Sequence, residues 1–155
     1  MYFTEIPMPG VPGGANGVSV FDGSQKTILH MGEPEPTDIV VGRDGRLYWT
    51  CKSAGVILTQ FKGETHTLLS GLDSPVGIAL DHKERALFFT EVPTPGIPRS
   101  QGGRNSVKRL DLETMHVVSI NQGDPEPTDV TVARNGRVYW TCTIAGVIVE
   151  ARLRR

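Results

Sequence analysis

Short apolar segments separated by glycine and proline make up most of the sequence. Several of these segments are rich in valine, isoleucine, threonine and aromatic residues, and none sustains the period of about 3.6 residues that marks an amphipathic helix. The 18 glycines and 11 prolines fall largely between them, where these residues favour tight turns. The pattern therefore predicts an all-β chain.

Four of the apolar segments share one form, in which aromatic residues lead into a threonine. These threonines, Thr4, Thr50, Thr90 and Thr141, are 46, 40 and 51 residues apart. Spacings of roughly 40 to 50 residues are typical of propeller blades, each of which is a four-stranded sheet, whereas helical repeats would show amphipathic helices. The spacing therefore predicts a β-propeller. The segments are Tyr2–Thr4, Leu47–Thr50, Leu87–Thr90 and Val138–Thr141.

Three of the aromatic segments follow an apolar run and a polar turn. Each such pair predicts an inner strand that turns into a second strand. In two of the turns, Asp44–Gly45 and Asn135–Gly136 are expected to supply the positive φ angles of a tight hairpin. The predicted inner strands are Ile39–Val41, Ile78–Leu80 and Val130–Val132.

Further apolar runs predict the outer strands of each blade. Third strands are expected at Val18–Phe21, Val56–Phe61, Val107–Leu110 and Val147–Ala151, and fourth strands at Thr27–His30, Thr67–Leu69 and Val117–Ile120. The first repeat then lacks an inner strand and the last lacks a fourth. The prediction is a single domain, 1–155, with antiparallel blades at about 1–31, 36–71, 75–121 and 127–155, incomplete at both termini.

The incomplete terminal blades leave strand edges unpaired, and such edges are templates for another strand. Both ends of the chain already carry second and third strands, so the two ends cannot simply combine into one blade. Either the chain forms a compact ring of four blades with imperfect ends, or it supplies part of a larger ring that a second copy closes. We favour the second interpretation, which predicts a homodimer.

One stretch of the sequence is duplicated. The 26 residues from Gly32 to Ile57 recur 91 positions later, counted from Cys51 to Cys142, with 18 of the 26 unchanged. A repeat that cannot bury its apolar face alone must stack on its neighbours. The duplication therefore indicates architecture more directly than chemistry, because it copies structural and active residues alike.

Charge and composition exclude several classes of partner. The 16 basic and 17 acidic residues give a formal net charge of −1, so the chain lacks the basic surface that binds nucleic acid or an anionic membrane. Three arginines at the end, Arg152, Arg154 and Arg155, are interpreted as a solvated terminus, with an acidic rim on another chain as the alternative.

The sequence also bears on location. No apolar run approaches the roughly 18 to 20 residues of a membrane span, and no basic segment followed by an apolar one opens the chain. Cys51 and Cys142 occupy equivalent places in the two copies, so they should lie on separate blades and be free thiols. These features predict a protein of a reducing compartment, the cytoplasm.

Several segments resemble a known type of repeat. Ser74–His82 leading to Leu87–Glu91 resembles the YWTD repeat of lipoprotein-receptor-type propellers, and Leu47–Thr50 and Val138–Thr141 match three of its four defining residues, with cysteine in place of aspartate. The layout is also similar to NHL and gluconolactonase-type propellers. The resemblance implies six-bladed rings of roughly 240 to 300 residues, of which this chain would be about half. Such rings host receptors, scaffolds, lactone hydrolases and cyclases alike.

The gluconolactonase resemblance implies a divalent cation, calcium or magnesium, held at the channel mouth by Glu, Asn and Asp. The family's glycine-rich Glu motif has no recognisable counterpart here. The alternative is that each Asp accepts backbone N–H bonds in the turn after its Pro-Thr. Asp38 and Asp129 are the candidate metal ligands, and Thr37, Thr128, Asn16 and Asn105 are further candidates at the channel mouth.

Two proline-rich segments, 4–12 and 90–98, form a second repeat. Stiff loops between second and third strands could form pocket walls, with Glu5 and Glu91 as binding or acid–base groups at the rim. Alternatively, the loops seal the contacts between blades.

The duplicated cysteines and tryptophans are interpreted as packing residues rather than as nucleophiles or ligand-stacking platforms. No histidine repeats beside either cysteine, so Cys51 and Cys142 are interpreted as small residues packed between blades. Trp49 and Trp140 are interpreted in the same way. No complete catalytic set emerges, which favours a binding or scaffold module with a central small-molecule or peptide pocket. The alternative is an enzyme of the lactone-hydrolase or cyclase type that uses Asp38, Asp129, Glu5 and Glu91.

Overall fold

The computed structural model describes residues 1–7, 15–32, 35–94 and 104–153. No helix among these residues has the length and apolar character needed to cross a membrane. The described chain forms 14 strands: β1 Tyr2–Glu5, β2 Gly17–Phe21, β3 Lys26–Met31, β4 Pro36–Val41, β5 Leu47–Cys51, β6 Val56–Phe61, β7 Glu64–Leu69, β8 Pro75–Leu80, β9 Ala86–Glu91, β10 Ser106–Asp111, β11 Val117–Gln122, β12 Pro127–Val132, β13 Arg137–Cys142 and β14 Val147–Arg152.

The strands form four antiparallel sheets in which neighbours along the chain pair with one another. We call them blade 1 (β1–β3), blade 2 (β4–β7), blade 3 (β8–β11) and blade 4 (β12–β14). The second strands place Thr4, Thr50 and Thr141 opposite Val18, Ile57 and Ile148 of the third strands. Blade 1 begins at its second strand and blade 4 stops at its third. The prediction of an all-β propeller with antiparallel blades that are incomplete at both termini is confirmed.

Consecutive blades pack face to face, with inner strand β4 against β8 and β8 against β12, while β1 packs against β4. Three apolar clusters fill these contacts. The first includes Val18 of blade 1 and Trp49 of blade 2, the second Ile57 of blade 2 and Phe89 of blade 3, and the third Phe88 of blade 3 with Trp140 and Cys142 of blade 4. The core is therefore a series of layers between blades, each made by the inward-alternating residues of two sheets.

The duplicated aromatic and thiol side chains lie in these layers. Trp49, Trp140, Cys51 and Cys142 are all buried, and both cysteines are free thiols. The prediction that these residues pack between blades is confirmed.

The turns differ in detail from the prediction. In the β4–β5 and β12–β13 hairpins only the glycines, Gly45 and Gly136, have positive φ, at 84° and 80°. Each hairpin is a longer loop in which one left-handed residue follows a type I turn. A further hairpin was not predicted: Lys62 and Gly63 have φ of 51° and 84° and turn the chain directly into β7. This tight turn makes the fourth strand of blade 2 begin at Glu64 rather than Thr67. The turn was not predicted because lysine is not a usual sign of left-handed backbone.

Candidate functional site at the start of the inner strands

The three inner strands begin in the same way. Each starts with a proline, and the residues before the prolines, Glu35, Ser74 and Glu126, have φ of 50°, 55° and 50°. Left-handed backbone is uncommon for residues other than glycine. The pairing register of each inner strand then shifts just after its proline. Such bulges redirect side chains, and here they set the direction of the residues two positions after each proline.

Asp38 joins blade 2 to blade 3. Its Oδ1 accepts a hydrogen bond from the N–H of Ile39 at 2.8 Å, and its Oδ2 accepts one from the N–H of Ile78, on the inner strand of the next blade, also at 2.8 Å. Both carboxylate oxygens are therefore bound to backbone groups. The bond from Ile39 is local, as the alternative interpretation of this residue predicts, whereas the bond from Ile78 of the next blade was not predicted. We call this contact the Asp38 bridge.

Threonine hydroxyls add to the contact between consecutive blades. Thr50 Oγ1, on β5, donates to the carbonyl oxygen of Val76 on β8 at 2.6 Å, and Thr37 Oγ1 lies 2.9 Å from Thr50 Oγ1. In blade 1, Thr4 Oγ1 donates to the carbonyl oxygen of Thr37 on β4 at 3.4 Å. A threonine on the second strand of one blade thus holds the inner strand of the next.

Blade 3 has Gly77 where blades 2 and 4 have aspartate. The N–H of Gly77 donates to Thr90 Oγ1 at 2.9 Å, as the N–H of Asp38 does to Thr50 Oγ1 at 3.2 Å. A Cβ atom on Gly77 would lie 2.8 Å from the Cα of Asp129. The glycine therefore allows β8 and β12 to approach closely, and the Asp38 bridge and Asp129 lie on either side of β8.

Asp129 repeats only half of the Asp38 arrangement. Its Oδ1 accepts the N–H of Val130 at 2.8 Å, while Thr128 Oγ1 lies 3.1 Å from Thr141 Oγ1 and 2.8 Å from Thr143 Oγ1. Within the described part of the chain, none of these side chains bonds to another blade. Beside them is an open, largely apolar hollow of about 290 Å³ that is lined by Asp129, Val130, Thr131, Tyr139, Trp140, Thr141 and Ile148.

The environment of Asp38 raises the pKa of its carboxyl group above the ordinary 3.8. Burial is the largest cause, because it removes water from the charged form, and the negative charge of Asp129 adds to it. The bonds from Ile78 and Ile39 lower the pKa; each has a smaller effect than burial and a larger one than the charge of Asp129. The two predicted aspartates lie in one region, because Asp38 Oδ2 binds the N–H of Ile78 and the neighbouring Gly77 packs against the Cα of Asp129.

The raised pKa gives a prediction for stability. Because folded Asp38 holds its proton more tightly than the unfolded chain does, its contribution is fully present below the unfolded pKa and is lost as pH rises through the folded pKa. The destabilisation caused by Asp38→Asn should therefore be larger at about pH 3.5 than at about pH 7. Urea unfolding gives the free energy of unfolding of the wild type and of Asp38→Asn at each pH. The difference between the two proteins removes the contribution of groups that titrate alike in both. A cost that grows with pH would contradict the assignment.

The two predicted glutamates lie in ion pairs. Glu91 is 3% exposed and binds Lys108, with Ser106 Oγ donating to it at 2.8 Å and the N–H of Asp73 at 2.9 Å. The equivalent Glu5 is more exposed and pairs with Lys26 at 2.8 Å. The bonds from Lys26 and Ser19 lower the pKa of Glu5. Neither carboxylate is placed as an unpaired acid or base.

The two predicted asparagines make hydrogen bonds within their own blades or to the next turn. The carbonyl oxygen of Asn16 accepts the N–H of Gly32, and that of Asn105 accepts the N–H of Gly123. Asn105 Nδ2 also donates to the carbonyl oxygen of Asp124 at 3.0 Å. Among the described residues, no group of three or more His, Cys, Asp and Glu side chains could hold a metal ion, so Asp38 and Asp129 have no third ligand there. Most of the proline-rich segments, at 8–14 and 95–103, and the terminal Arg154 and Arg155 lie outside the described residues.

Asp124, which was not predicted as a site residue, contacts both the buried tryptophan and the buried cysteine of blade 4. Its Oδ2 accepts the indole N–H of Trp140 at 2.8 Å and lies 3.9 Å from Cys142 Sγ. Burial, followed by the charge of Asp124, raises the pKa of the Cys142 thiol, which therefore stays protonated and is a poor nucleophile. The available signal was an acidic residue at the same place in both copies, Glu33 and Asp124.

The comparisons with known proteins concern the fold. No family model matches the sequence, and no curated protein matches it. Among solved structures, the chain is similar to a proposed gluconolactonase (TM-score 0.74, 17% identity, 90% of this chain and 52% of that one) and to a nidogen/laminin complex (0.67, 14%, 83% and 49%). It is also similar to virginiamycin B lyase from Staphylococcus aureus (0.61, 17%, 91% and 50%).

The chain thus spans about half the length of the solved structures it matches. Identities of 14 to 17% carry the fold and nothing finer. The similarity agrees with the four meandering sheets and with the repeated inner-strand geometry. The predicted resemblance to propellers of the YWTD and gluconolactonase type is confirmed, and the chain has a β-propeller fold.

Proposed function

We propose that this chain is a non-catalytic propeller module for binding or scaffolding, which self-associates through its first and last blades into a closed ring around a central pocket. The observation that carries the proposal is the face of blade 4 that is turned away from blade 3. It repeats residues of the face by which blade 2 packs against blade 3, but no described blade covers it. The partner is a second copy of this chain.

The duplicated residues allow the two faces to be compared directly. Ile57 and Tyr48 of blade 2 are packed in the cluster shared with blade 3, and Ile57 is 0% exposed. Their counterparts Ile148 and Tyr139 line the open hollow of blade 4, and Ile148 is 72% exposed. Apolar side chains that are buried in one copy and open in the other mark a surface suited to packing against another blade.

Blade 1 offers a partly apolar face to receive it. Val18 packs toward blade 2, so its neighbour on β2, Ser19, faces the other way. Ser19 pairs with Phe3 on one side and with Ile28 on the other, which places these three residues on the face turned away from blade 2. Ile28 is exposed. A second copy can therefore bring the apolar hollow of blade 4, beside the Arg137–Glu150 pair, onto the apolar part of the blade 1 face, beside the Glu5–Lys26 pair, twice in a symmetric dimer.

Polar groups support the same arrangement. Asp129 Oδ2 and Thr141 Oγ1 correspond to the Asp38 and Thr50 atoms that bind backbone groups of the following blade. A docked copy would supply backbone groups to them. In the closed ring Asp38 and Asp129 of both copies would surround the axis, so a ligand of the pocket would carry hydrogen-bond donors or positive charge.

The candidate acids favour a module without catalysis. Asp38 is bound to two backbone N–H groups, and Glu91 and Glu5 are paired with lysines. General acid–base catalysis needs a group free to exchange a proton with the substrate. Of the four candidate acids, only Asp129 keeps a carboxylate oxygen, Oδ2, that is not bound to another described group, so the lactone-hydrolase or cyclase alternative would depend on that single carboxylate.

Self-association leads to a first prediction in solution. The protein should elute with twice the mass of the 16.9 kDa chain, and Ile148→Arg should weaken association at least about tenfold, because it places a charge in the apolar contact. Size exclusion coupled to light scattering over a concentration series measures both.

Val118→Arg provides the matched control. Val118 is an exposed apolar residue on β11, the outer strand of blade 3, and lies away from both open faces. This variant should remain dimeric. A wild-type chain that stays at 17 kDa at every concentration, or equal loss of the dimer in both variants, would refute the shared ring.

A further inference from the structure

A cationic groove lies between the inner hairpins of blades 3 and 4, at the opposite end of the inner strands from Asp38 and Asp129. It has a volume of about 570 Å³, within the range of roughly 300 to 1,000 Å³ that suits small ligands. Ala86, Phe88, Val132 and Leu153 form its apolar part. Its charged side chains are Asp81, Lys83, Arg85, Arg109 and Arg134, with His82 and Asn135 beside them.

The positive charges of this groove are poorly neutralised. Lys83, Arg85 and Arg134 make no ion pair with any residue that the structure describes. Arg109 pairs with Asp111 at 3.2 Å. Asp81, the only acidic side chain of the described lining, directs its Oδ1 to backbone N–H groups of the hairpin rather than to these cations. A concave site lined by one sign of charge attracts ligands of the other sign.

The neighbouring groove between blades 2 and 3 shows how such charges are neutralised elsewhere in the molecule. There Arg43 Nε lies 3.5 Å from Glu84 Oε1, which also accepts the backbone N–H of Arg43 at 2.9 Å, and the guanidinium donates to the carbonyl oxygen of His82 at 2.6 Å. Asp44 also lines this groove. The hairpin of blade 2 is thus tied to the hairpin of blade 3 by its arginine.

The duplicated hairpin keeps the arginine and loses its one acid. Arg134 and Asn135 correspond to Arg43 and Asp44. The left-handed position that Glu84 occupies in blade 3 is taken in blade 4 by Gly136, which has no side chain. The two acidic groups of the first groove therefore have no counterpart on the blade 4 hairpin, although most of the surrounding repeat is unchanged.

We propose that the groove between blades 3 and 4 binds a small organic phosphate. Arginine and lysine provide charge-assisted hydrogen bonds to phosphate oxygens, and guanidinium groups can do so in pairs. The apolar lining of Ala86, Val132 and Leu153 receives the organic part of the ligand. The proposal is independent of self-association, because the groove lies between two blades of one chain.

Binding of phenyl phosphate tests the proposal. Isothermal titration at fixed ionic strength should show binding to the full chain, weakened roughly tenfold by Arg134→Gln, which removes a charge-assisted bond. Asn135→Asp should weaken it roughly fivefold by restoring the carboxylate found in blade 2. This variant should fold normally, because Asn135 Oδ1 accepts the N–H of Arg137 just as Asp44 Oδ1 accepts that of Arg46.

Two controls separate this result from other effects. Lys62→Gln removes an exposed cation that lies over Phe61, outside the groove, and should leave binding unchanged. Ile148→Arg should also bind normally, whatever its effect on association. No binding to the wild type, or equal weakening by Lys62→Gln and Arg134→Gln, would overturn the proposal.

Discussion

Gly77→Ala is expected to destabilise the propeller by about 3 kcal/mol, because the new methyl group has no space between two inner strands. Its Cβ would lie 2.8 Å from both the Cα of Asp129 and the carbonyl oxygen of Thr128. Both are backbone atoms of β12, so relief of the clash requires the strand itself to move. Urea unfolding followed by tryptophan fluorescence measures the loss, since Trp49 and Trp140 are both buried.

Gly42→Ala is the matched control. A Cβ on Gly42 would lie 2.9 Å from Asp44 Oδ1, which is the end of a side chain and can rotate away. Gly42→Ala should reduce the free energy of unfolding by about 1 kcal/mol, because Asp44 would lose the hydrogen bond that it accepts from the N–H of Arg46. Equal costs at the two glycines would show that β8 and β12 are not held at the distance described.

The fold followed from the sequence because its strongest signals are local. Aromatic segments, turn residues and period-2 alternation specify strands, and their spacing specifies blades. The start of the fourth strand of blade 2 was predicted incorrectly because Lys62 adopts a conformation that lysine rarely signals. Local signals also placed Asp38 at the start of an inner strand.

The partner of Asp38 across the blade contact was not predictable in the same way. Which N–H group lies opposite its Oδ2 depends on how β4 and β8 pack, and this depends on the bulges after Pro36 and Pro75. The differing burial of Ile57 and Ile148 also has no sequence signal, because the residues are identical copies. In the described part of the chain, blade 3 covers Ile57 and no sheet packs over Ile148.

Glu91→Ala should destabilise the chain by about 3 kcal/mol, since it removes a buried carboxylate that binds three groups, among them the buried Ser106 hydroxyl. Lys108 would lose its counter-ion, and Ser106 Oγ and the N–H of Asp73 would each lose an acceptor. Urea unfolding gives the free energy of unfolding of each variant. A double-mutant cycle with Lys108→Met isolates the part that belongs to the ion pair.

Glu5→Ala is the matched control because the two glutamates are repeat equivalents with different exposure. The Glu5 side chain is 32% exposed and that of Glu91 4%. Exposed ion pairs contribute about 0 to 1 kcal/mol, so the cost of Glu5→Ala should stay below about 1 kcal/mol. Similar small losses in both variants would show that Glu91 is not needed for the fold, and its carboxylate would return as a candidate binding group. A large loss confined to Glu91→Ala would assign it to the interior of blade 3 and leave Asp38 and Asp129 as the acidic groups for the proposed pocket.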